Sequence, residues 1–363
     1  MPNYNQRRDK LRRFVRATEA EAILVTSYDN VTYLTGFTGD SSYLLLTRDG
    51  QLILSDRRYT TQLETECPNI DLDVRGPETT MLECVAKVVR KAKLGSLAIE
   101  AGNVTLEFSQ KLAEKLPKVD LVSTSGLVEQ LREIKDKEEL AEIREAIEIA
   151  ARAFSVVKAG LRPEQTEKQV ADELERQVRL FGGQCTAFWP IVGVGPNGAL
   201  PHYRPGAVKI EESFMVLVDW GAKARLYLSD LTRIIVTGKA PAKLERVYNV
   251  VLKAQKKAIE AIRPGAVLED VDAAARKVIT DAGFGKQFGH SLGHGFGLQI
   301  HEQPRLAVNQ KRTLEPGMVV TVEPGIYLPG AFGVRIEDDI LVTKDGHEVL
   351  SSVPKEYADC VIG

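Results

Sequence analysis

Acidic residues in or beside apolar strand patterns are the feature that most constrains this sequence. Asp219 and Glu323 each end an apolar run, Glu337 interrupts another, and Asp230 lies beside the strand pattern that follows Asp219. Because an unpaired buried carboxylate costs several kcal/mol or changes its protonation state, each of these groups needs a partner. The pattern therefore predicts a fold that supplies buried arginines or metal ions to its own strands.

Length and periodicity favour two domains. The chain has 363 residues, which exceeds one typical domain. Short apolar runs alternate with helical patterns over residues 1–130, which predicts a small α/β domain. An amphipathic helix begins near Leu140, and residues 131–363 then mix helices with strands, which predicts an α+β domain with a mostly antiparallel sheet. Its predicted strands are 215–218, 227–236, 319–322 and 334–342.

Charge and cysteine usage narrow the class of protein. The 48 basic and 50 acidic residues leave a net charge of -2, which argues against nucleic acid or an anionic membrane as the main partner. No apolar run approaches the roughly 18 residues that span a bilayer, and the polar start 1–16 is not expected to be a secretory signal. The four cysteines are far apart and form no CxxC pair, so reduced thiols and a cytoplasmic location are expected.

The histidines are few and concentrated. Of five in the chain, His290, His294 and His301 lie close together, His202 lies in a loop rich in proline and glycine, and His347 lies in a predicted turn. Glycines surround His294, so the backbone there can approach another group closely. A histidine in such a segment is a candidate metal ligand, alongside the four carboxylates.

This ligand set indicates two cations. One imidazole with four carboxylates suits Mn²⁺ best, and Fe²⁺, Co²⁺ or Zn²⁺ are also compatible. Five side chains are too many for one tetrahedral zinc with an open position. They fit two divalent cations about 3.5–4 Å apart that share carboxylates. Two cations would also neutralise four carboxylates that otherwise repel one another.

The residues occur in an order that resembles the pita-bread metallopeptidases, the family of methionine aminopeptidase, aminopeptidase P and prolidase. The segments that carry the resemblance are Asp219…Asp230 with ten residues between them, Gly293-His294-Gly295-Phe296-Gly297, Glu323-Pro324-Gly325 and Arg335-Ile336-Glu337. The resemblance covers about residues 136–357 and implies a pita-bread catalytic domain. It also implies that the metal ligands are Asp219, Asp230, His294, Glu323 and Glu337.

The first third is similar to the smaller creatinase-like domain of prolidase, aminopeptidase P and creatinase. The residues that carry this likeness are 30–37 and Asp56-Arg57-Arg58-Tyr59. Because methionine aminopeptidases lack such a domain, the likeness favours the proline-directed branch. It implies a prolidase-like dipeptidase that hydrolyses the bond before proline in small proline-containing peptides.

The resemblance assigns roles to further residues. Glu323 matches the general base that takes a proton from the metal-activated water, and Arg335 matches a residue that orients the carboxylates or the substrate. His202 matches the histidine over the scissile bond, and His301 the one that contacts the substrate carbonyl. His290 matches a histidine near the pocket entrance. For each histidine, a surface or capping role is the alternative.

Two more residues are candidates for binding the peptide. Arg305 matches an arginine that grips the C-terminal carboxylate of a dipeptide, and a guanidinium suits that role because it offers two parallel hydrogen bonds. Tyr327 matches a tyrosine near the site. The alternatives are a solvated loop arginine and a packed aromatic ring, respectively.

Other functions on the same fold remain as alternatives. The main one is an aminopeptidase that releases the first residue from longer Xaa-Pro peptides. A creatinase-like C–N hydrolase and a non-catalytic binding protein are weaker alternatives, because both are expected to lack metal ligands that are present here. The resemblance also implies a homodimer.

Overall fold

The computed structural model describes residues 3–362. The chain forms two compact units, Met1–Arg132 and Glu133–Gly363. No helix within the described residues combines the length and the apolarity that a membrane crossing requires.

A mixed six-stranded sheet is the main feature of the first unit. Its strands are β1 (Ala22–Val25), β2 (Tyr43–Thr47), β3 (Gln51–Asp56), β4 (Asp71–Arg75), β5 (Ser96–Glu100) and β6 (Asp120–Thr124). Its helices are α1 (Tyr4–Arg16), α2 (Tyr28–Thr35), α3 (Thr60–Glu66), α4 (Met81–Lys91), α5 (Leu106–Lys115) and α6 (Leu127–Arg132). The strand order is β4-β3-β2-β1-β5-β6, with antiparallel pairing at β1–β2 and β2–β3 and parallel pairing elsewhere. Helices between the strands of one sheet confirm the predicted α/β domain.

The second unit consists of small antiparallel sheets with helices packed against them. Its helices are α7 (Lys137–Ala159), α8 (Glu167–Leu180), α9 (Ala242–Ala261), α10 (Leu268–Asp281) and α11 (Tyr357–Cys360). Its strands are β7 (Cys185–Thr186), β8 (Ile191–Val194), β9 (Met215–Trp220), β10 (Ala222–Ala224), β11 (Tyr227–Leu228), β12 (Leu231–Val236), β13 (Gly293–Gly295), β14 (Glu302–Leu306), β15 (Val319–Val322), β16 (Gly325–Leu328), β17 (Phe332–Arg335), β18 (Asp338–Val342) and β19 (His347–Val349). The sheets run β12-β9-β8, β14-β13-β15-β18-β19, β11-β10-β7 and β16-β17. This confirms the predicted α+β domain.

Helix α7 shows why the amphipathic pattern forms where it does. Asp136 accepts a hydrogen bond from the backbone N–H of Glu139, and Glu139 accepts one from Asp136, so a capping box starts the helix. The apolar stripe that includes Ile147 and Phe154 is buried. Phe154 stacks on Trp220 of β9, with ring centroids 4.3 Å apart. The stripe therefore attaches α7 to the strand that carries Asp219.

Strand β9 is buried on both faces. Met215 and Leu217 join the core that contains α9 and α10, whereas Val216 and Val218 join the core that contains α7 and α8. Because side chains alternate along a strand, Asp219 shares the face of Leu217. The continuous apolar run is thus the signature of a central strand covered from both sides.

Two predicted strands are divided in the structure. The pattern 227–236 becomes β11 and β12, which pair with β10 and β9 respectively. The pattern 334–342 becomes β17 and β18, which pair with β16 and β15 respectively. In each case the chain leaves one sheet for another, and Asp230 and Glu337 lie at the two crossing points.

Candidate active site

Three carboxylates from separate parts of the second unit meet at one point. Asp219, Asp230 and Glu337 are buried, and each offers an oxygen that lies within 4.8 Å of the others. Antiparallel pairing sets Thr232 of β12 opposite Asp219 of β9, which brings the end of β12 and Asp230 beside Asp219. Thr232 Oγ1 donates a hydrogen bond to Glu337 Oε2 at 2.7 Å. The register of two strands and one hydroxyl therefore assembles the acidic cluster.

His294 and Glu323 close the cluster from the five-stranded sheet. His294 Nε2 lies 3.3 Å from Glu323 Oε1 and 3.7 Å from Asp230 Oδ2. Thr321 Oγ1 accepts from the backbone N–H of His294 at 3.1 Å and donates to Glu323 Oε1 at 3.2 Å. His294 Nδ1 lies 3.0 Å from the carbonyl oxygen of Gly295, which places a proton on Nδ1. Burial acts to lower the pKa of His294, but the hydrogen bond and charge of Glu323 outweigh it and raise that pKa, so the metal-free ring favours the protonated form. A metal ligand must be neutral, and in the neutral ring the lone pair of Nε2 faces the carboxylates.

The electrostatics of the cluster are those of crowded like charges. Burial, with repulsion from Glu337 and Asp219, raises the pKa of Asp230 well above its ordinary value. Burial, with repulsion from Glu323 and Asp219, does the same to the pKa of Glu337. Burial also acts to raise the pKa of Glu323, but the hydrogen bond and charge of His294 outweigh it and lower that pKa to about 2. Positive charge placed among these groups would relieve the repulsion.

The residues fit divalent metal ions. Asp219 Oδ1 and Glu337 Oε1 are buried and have no hydrogen-bond partner between residues 3 and 362. Buried carboxylate oxygens without a partner are rare and call for an ion or a water molecule. Four carboxylates with one imidazole are donors that divalent first-row metals accept. The candidate ligands of such ions are Asp219, Asp230, His294, Glu323 and Glu337.

Arg335 ties the cluster to the strands around it. Its Nη2 pairs with Asp219 Oδ2, and its Nε donates to Thr232 Oγ1 at 3.0 Å. Its Nη1 donates to the hydroxyl of Tyr327 at 2.8 Å. Burial raises the pKa of Asp219, and the guanidinium of Arg335 opposes that effect. Arg335 is the buried arginine that the acidic strand pattern called for, and it neutralises part of the cluster.

A chain of hydrogen bonds continues from Arg335 to His290. The Tyr327 hydroxyl lies 2.9 Å from His290 Nε2, and His290 Nδ1 lies 2.8 Å from the carbonyl oxygen of Ser291. Because Nδ1 must donate to that carbonyl, Nε2 accepts from Tyr327. Burial lowers the pKa of His290 and raises that of Tyr327 to about 12. Both groups are therefore neutral near pH 7.

A cavity of about 370 Å³ contains the cluster. Every candidate residue named from the sequence lines it. Among these candidates, His202, His301 and Arg305 are exposed, and the His301 ring centroid lies 4.5 Å from that of His294. Burial and the charge of His294 lower the pKa of His301. His347 lies elsewhere, with Nδ1 2.9 Å from the carbonyl oxygen of Ile262.

The sequence reasoning missed several residues that support this site. Thr232 lies two positions after Asp230, and Thr321 lies two before Glu323, so the period of two along a strand was a signal that could have found both. Asp339 Oδ2 accepts the backbone N–H of Asp230 at 3.2 Å, and the same period links it to Glu337. Trp189 lines the cavity while 84% exposed, and nothing in its local sequence indicates that position.

Comparisons with known proteins agree with this geometry. Residues 141–344 match the family model "Metallopeptidase family M24", and residues 7–134 match "Creatinase/Prolidase N-terminal domain". The chain is 37% identical to the solved Xaa-Pro dipeptidase from Bacillus anthracis, with a TM-score of 0.95 over 99% of this chain and 100% of that one. It is 33% identical over 353 residues to the Xaa-Pro dipeptidase of Pyrococcus horikoshii, covering 97% of this chain and 98% of the relative. It is also 32% identical to an X-Pro aminopeptidase structure from Thermotoga maritima, with a TM-score of 0.88 over 95% of this chain and 99% of that one.

Proposed function

Because the chain belongs to metallopeptidase family M24, we propose that it hydrolyses the peptide bond before proline in small Xaa-Pro dipeptides. The observation that carries the proposal is the buried cluster of Asp219, Asp230 and Glu337, with His294 beside it, in a cavity large enough for a small peptide. The relatives named Xaa-Pro dipeptidase support the substrate class.

The cluster is proposed to hold two divalent metal ions. Asp219, Asp230, His294, Glu323 and Glu337 are the proposed ligands. Such ions, when bound, lower the pKa of water toward neutrality and polarise a carbonyl group. Thr232 and Thr321 hold their neighbouring carboxylates by hydrogen bonds, so the ligand oxygens are oriented before any ion arrives.

Glu323 is proposed to act as general base. Its Oε1 lies 3.3 Å from His294 Nε2, beside the other proposed ligands, where a carboxylate oxygen can accept a proton from the attacking water. The same group would then deliver that proton to the leaving proline nitrogen. Thr321 fixes the Glu323 carboxylate through its hydroxyl, which keeps the proton acceptor in one orientation.

The histidines on the cavity wall are proposed to hold the scissile peptide bond. His301, whose pKa is lowered, is neutral near pH 7 and can donate a hydrogen bond to the developing oxyanion. His202 is proposed to help hold the scissile amide from the cavity wall. The amide nitrogen of proline carries no hydrogen, so a site that selects the ring does not require an N–H donor there.

The remaining residues are proposed to bind and orient the dipeptide. Arg305 is an exposed guanidinium on the cavity wall and can pair with the C-terminal carboxylate of the substrate. Arg335, Tyr327 and His290 form one hydrogen-bonded chain that supports Asp219 and one wall of the cavity.

Aminopeptidase action on longer Xaa-Pro peptides is the second candidate. The likeness to an X-Pro aminopeptidase structure, which covers 95% of the chain, favours it. The two candidates differ in one physical respect, namely whether the substrate carboxylate must reach Arg305.

The proposal extends to three finer points. Mn²⁺ is the proposed native ion, because a set of four carboxylates and one imidazole suits it. A homodimer is proposed from the family resemblance. A cytoplasmic location is proposed because the cysteines Cys67, Cys84, Cys185 and Cys360 are free thiols.

Hydrolysis of Ala-Pro, Ala-Pro-Ala and Ala-Ala by protein loaded with Mn²⁺ tests the function. The dipeptidase proposal expects the largest kcat/KM on Ala-Pro and little hydrolysis of Ala-Ala. Preference for Ala-Pro-Ala would establish the aminopeptidase instead. Equal turnover of Ala-Ala and Ala-Pro would refute selection for proline, and no hydrolysis of any peptide would refute the enzyme activity.

A further inference from the structure

His202 lies on a loop that determines where its side chain enters the cavity. The loop runs between β8 and β9 and begins with the short 3-10 turn Gly195–Ala199. The His202 side chain is exposed to the cavity, and no hydrogen bond to its ring is found within residues 3–362. Whatever holds the loop therefore fixes the backbone position from which the imidazole extends.

A single carboxylate, that of Glu167, binds the first part of this loop. Glu167 is the first residue of α8 and is 0% exposed. Its Oε1 accepts the backbone N–H of Val194 at 2.8 Å and the side-chain amide of Asn197 at 2.8 Å. These two contacts hold the end of β8 and the turn that follows it.

The second oxygen of Glu167 binds the last part of the loop. Oε2 accepts the hydroxyl of Tyr203 at 2.8 Å and the backbone N–H of Gly206 at 3.0 Å. Asn197 Nδ2 also donates to the Tyr203 hydroxyl at 2.9 Å, which links the two halves of the loop. His202 precedes Tyr203 directly, so its backbone is restrained from both sides.

Glu167 forms no ion pair with the described residues, and its four hydrogen-bond donors are neutral groups. Its position at the start of α8 places it against the positive end of the helix dipole. Hydrogen bonds to an ionised acceptor are stronger than neutral ones, and four of them converge here on one loop. Thr166 already caps α8, so capping the helix does not require these four hydrogen bonds to Glu167.

We propose that Glu167 is a positioning residue that holds His202 over the scissile bond through the loop 194–206. The role given to His202 in this inference rests on the proposed function. The part of the inference that concerns how Glu167 holds the loop does not. Both oxygens act as acceptors, so an amide in place of the carboxylate turns one of them into a donor that faces a buried backbone N–H or an amide. The loop must then shift at Val194 or at Gly206.

A double-mutant cycle tests this coupling. Glu167→Gln is expected to lower kcat/KM on Ala-Pro by about tenfold or more, because small misplacements of catalytic groups are costly. In the His202→Ala background the same change is expected to cost less than about twofold, since no imidazole is left to misplace. Equal losses in both backgrounds would overturn the inference, because Glu167 would then act independently of His202.

Matched variants separate positioning from a general loss of stability. Glu100→Gln removes a buried carboxylate of the first unit that likewise accepts backbone N–H groups, from Thr26 at 2.6 Å and Ser27 at 2.9 Å. It is expected to lower the melting temperature but to leave kcat/KM within about twofold. If Glu167→Gln fails to fold, Asn197→Ala removes two contacts of the same network, those with Glu167 and Tyr203, and is expected to act in the same direction, with the same dependence on His202.

A spectroscopic measurement does not depend on catalysis. The chain has five histidines, so their Hε1 resonances can be resolved in metal-free protein with labelled histidine. His202→Ala assigns the signal of His202, which Glu167→Gln is expected to shift or broaden, while the signal of His347 stays unchanged. An unchanged His202 signal would refute the inference even if peptides are hydrolysed. Absence of hydrolysis by the unmodified protein, with the shift observed, would refute the proposed function and leave the inference standing.

Discussion

The hydroxyl of Tyr327 lies 2.9 Å from Nε2 of His290, at the end of a hydrogen-bonded chain that starts at Arg335. The chain lets a fully charged guanidinium and a neutral imidazole share one phenol, which donates to the ring and accepts from the guanidinium. Nη1 of Arg335 and Nε2 of His290 each make their hydrogen bond to this hydroxyl alone among the described residues. Removal of the hydroxyl therefore interrupts the hydrogen-bonded chain.

Replacement of Tyr327 by Phe is expected to lower kcat/KM about tenfold and to reduce stability by about 1–3 kcal/mol, because Nη1 of Arg335 and Nε2 of His290 each lose their hydrogen-bond partner. Metal content is expected to stay unchanged. Tyr248→Phe is the matched control, since its hydroxyl binds the carbonyl of Lys355 at 2.8 Å and does not line the cavity. A loss of activity no larger than that of the control would exclude a role for the Tyr327 hydroxyl in the site.

Removal of a carboxylate from the cluster is expected to remove metal. Unmodified protein should contain about two divalent cations per chain by elemental analysis. Asp230→Ala should bind fewer and lose most of its activity, whereas Asp281→Ala, on the exposed end of α10, should retain both. Full metal content and full turnover in Asp230→Ala would show that this carboxylate is not a ligand.

Chelation is expected to destabilise the second unit, increasingly so as the pH rises. Folding raises the pKa values of Asp230 and Glu337 in the absence of metal, so the folded state binds more protons than the unfolded state above the ordinary carboxyl range. The contribution of these groups to stability is then present at low pH and is lost as the pH rises through the raised pKa values. Bound cations remove this penalty.

Denaturant unfolding of chelated and metal-loaded protein at pH values from about 5 to about 8 measures this effect. The stability gained from metal is expected to grow with pH, and the Asp230→Ala variant should show a smaller dependence. A difference between the two forms that stays constant over this range would contradict strong repulsion among the carboxylates.

Arg305 is expected to distinguish dipeptides from longer peptides. If it pairs with the dipeptide carboxylate, Arg305→Ala should reduce kcat/KM on Ala-Pro by about ten- to a hundredfold, and much less on Ala-Pro-Ala. Arg305→Lys should recover part of the loss, since lysine lacks the paired donors. Arg225→Ala, an exposed arginine outside the cavity, is the control. Equal losses on both peptides would favour the aminopeptidase.

Trp189 offers a direct optical probe of peptide binding. It is 84% exposed on the cavity wall, whereas Trp220, the chain's other tryptophan, is fully buried against Phe154. A peptide that enters the cavity is expected to change the emission of Trp189, and Trp189→Phe should abolish the change without altering stability by more than about 0.5 kcal/mol. An identical change in Trp189→Phe would assign the signal to Trp220 and exclude contact with Trp189.

The candidate site was predictable because its chemistry is local in the sequence. Acidic residues beside apolar strands, and a histidine among glycines, each indicate locally that a charged partner or a metal ion is required. A family resemblance then assigned their roles. The residues that support the site are harder to identify from the sequence. Thr232 and Asp339 look like ordinary strand residues until their partners are known, and Glu167 looks like an ordinary acidic residue at the start of a helix.

The sequence by itself determined the fold class of both domains, the apolar faces of helices such as α7, and the set of candidate metal ligands, because these depend on periodicity and residue type over short windows. Only the tertiary structure decided where the chain changes sheets at Asp230 and Glu337, and which carboxylate meets which partner. Those outcomes depend on pairing between strands distant in sequence, which no local pattern encodes. The contact of Glu167 with Tyr203, 36 positions along the chain, exists only because a helix and a loop pack together.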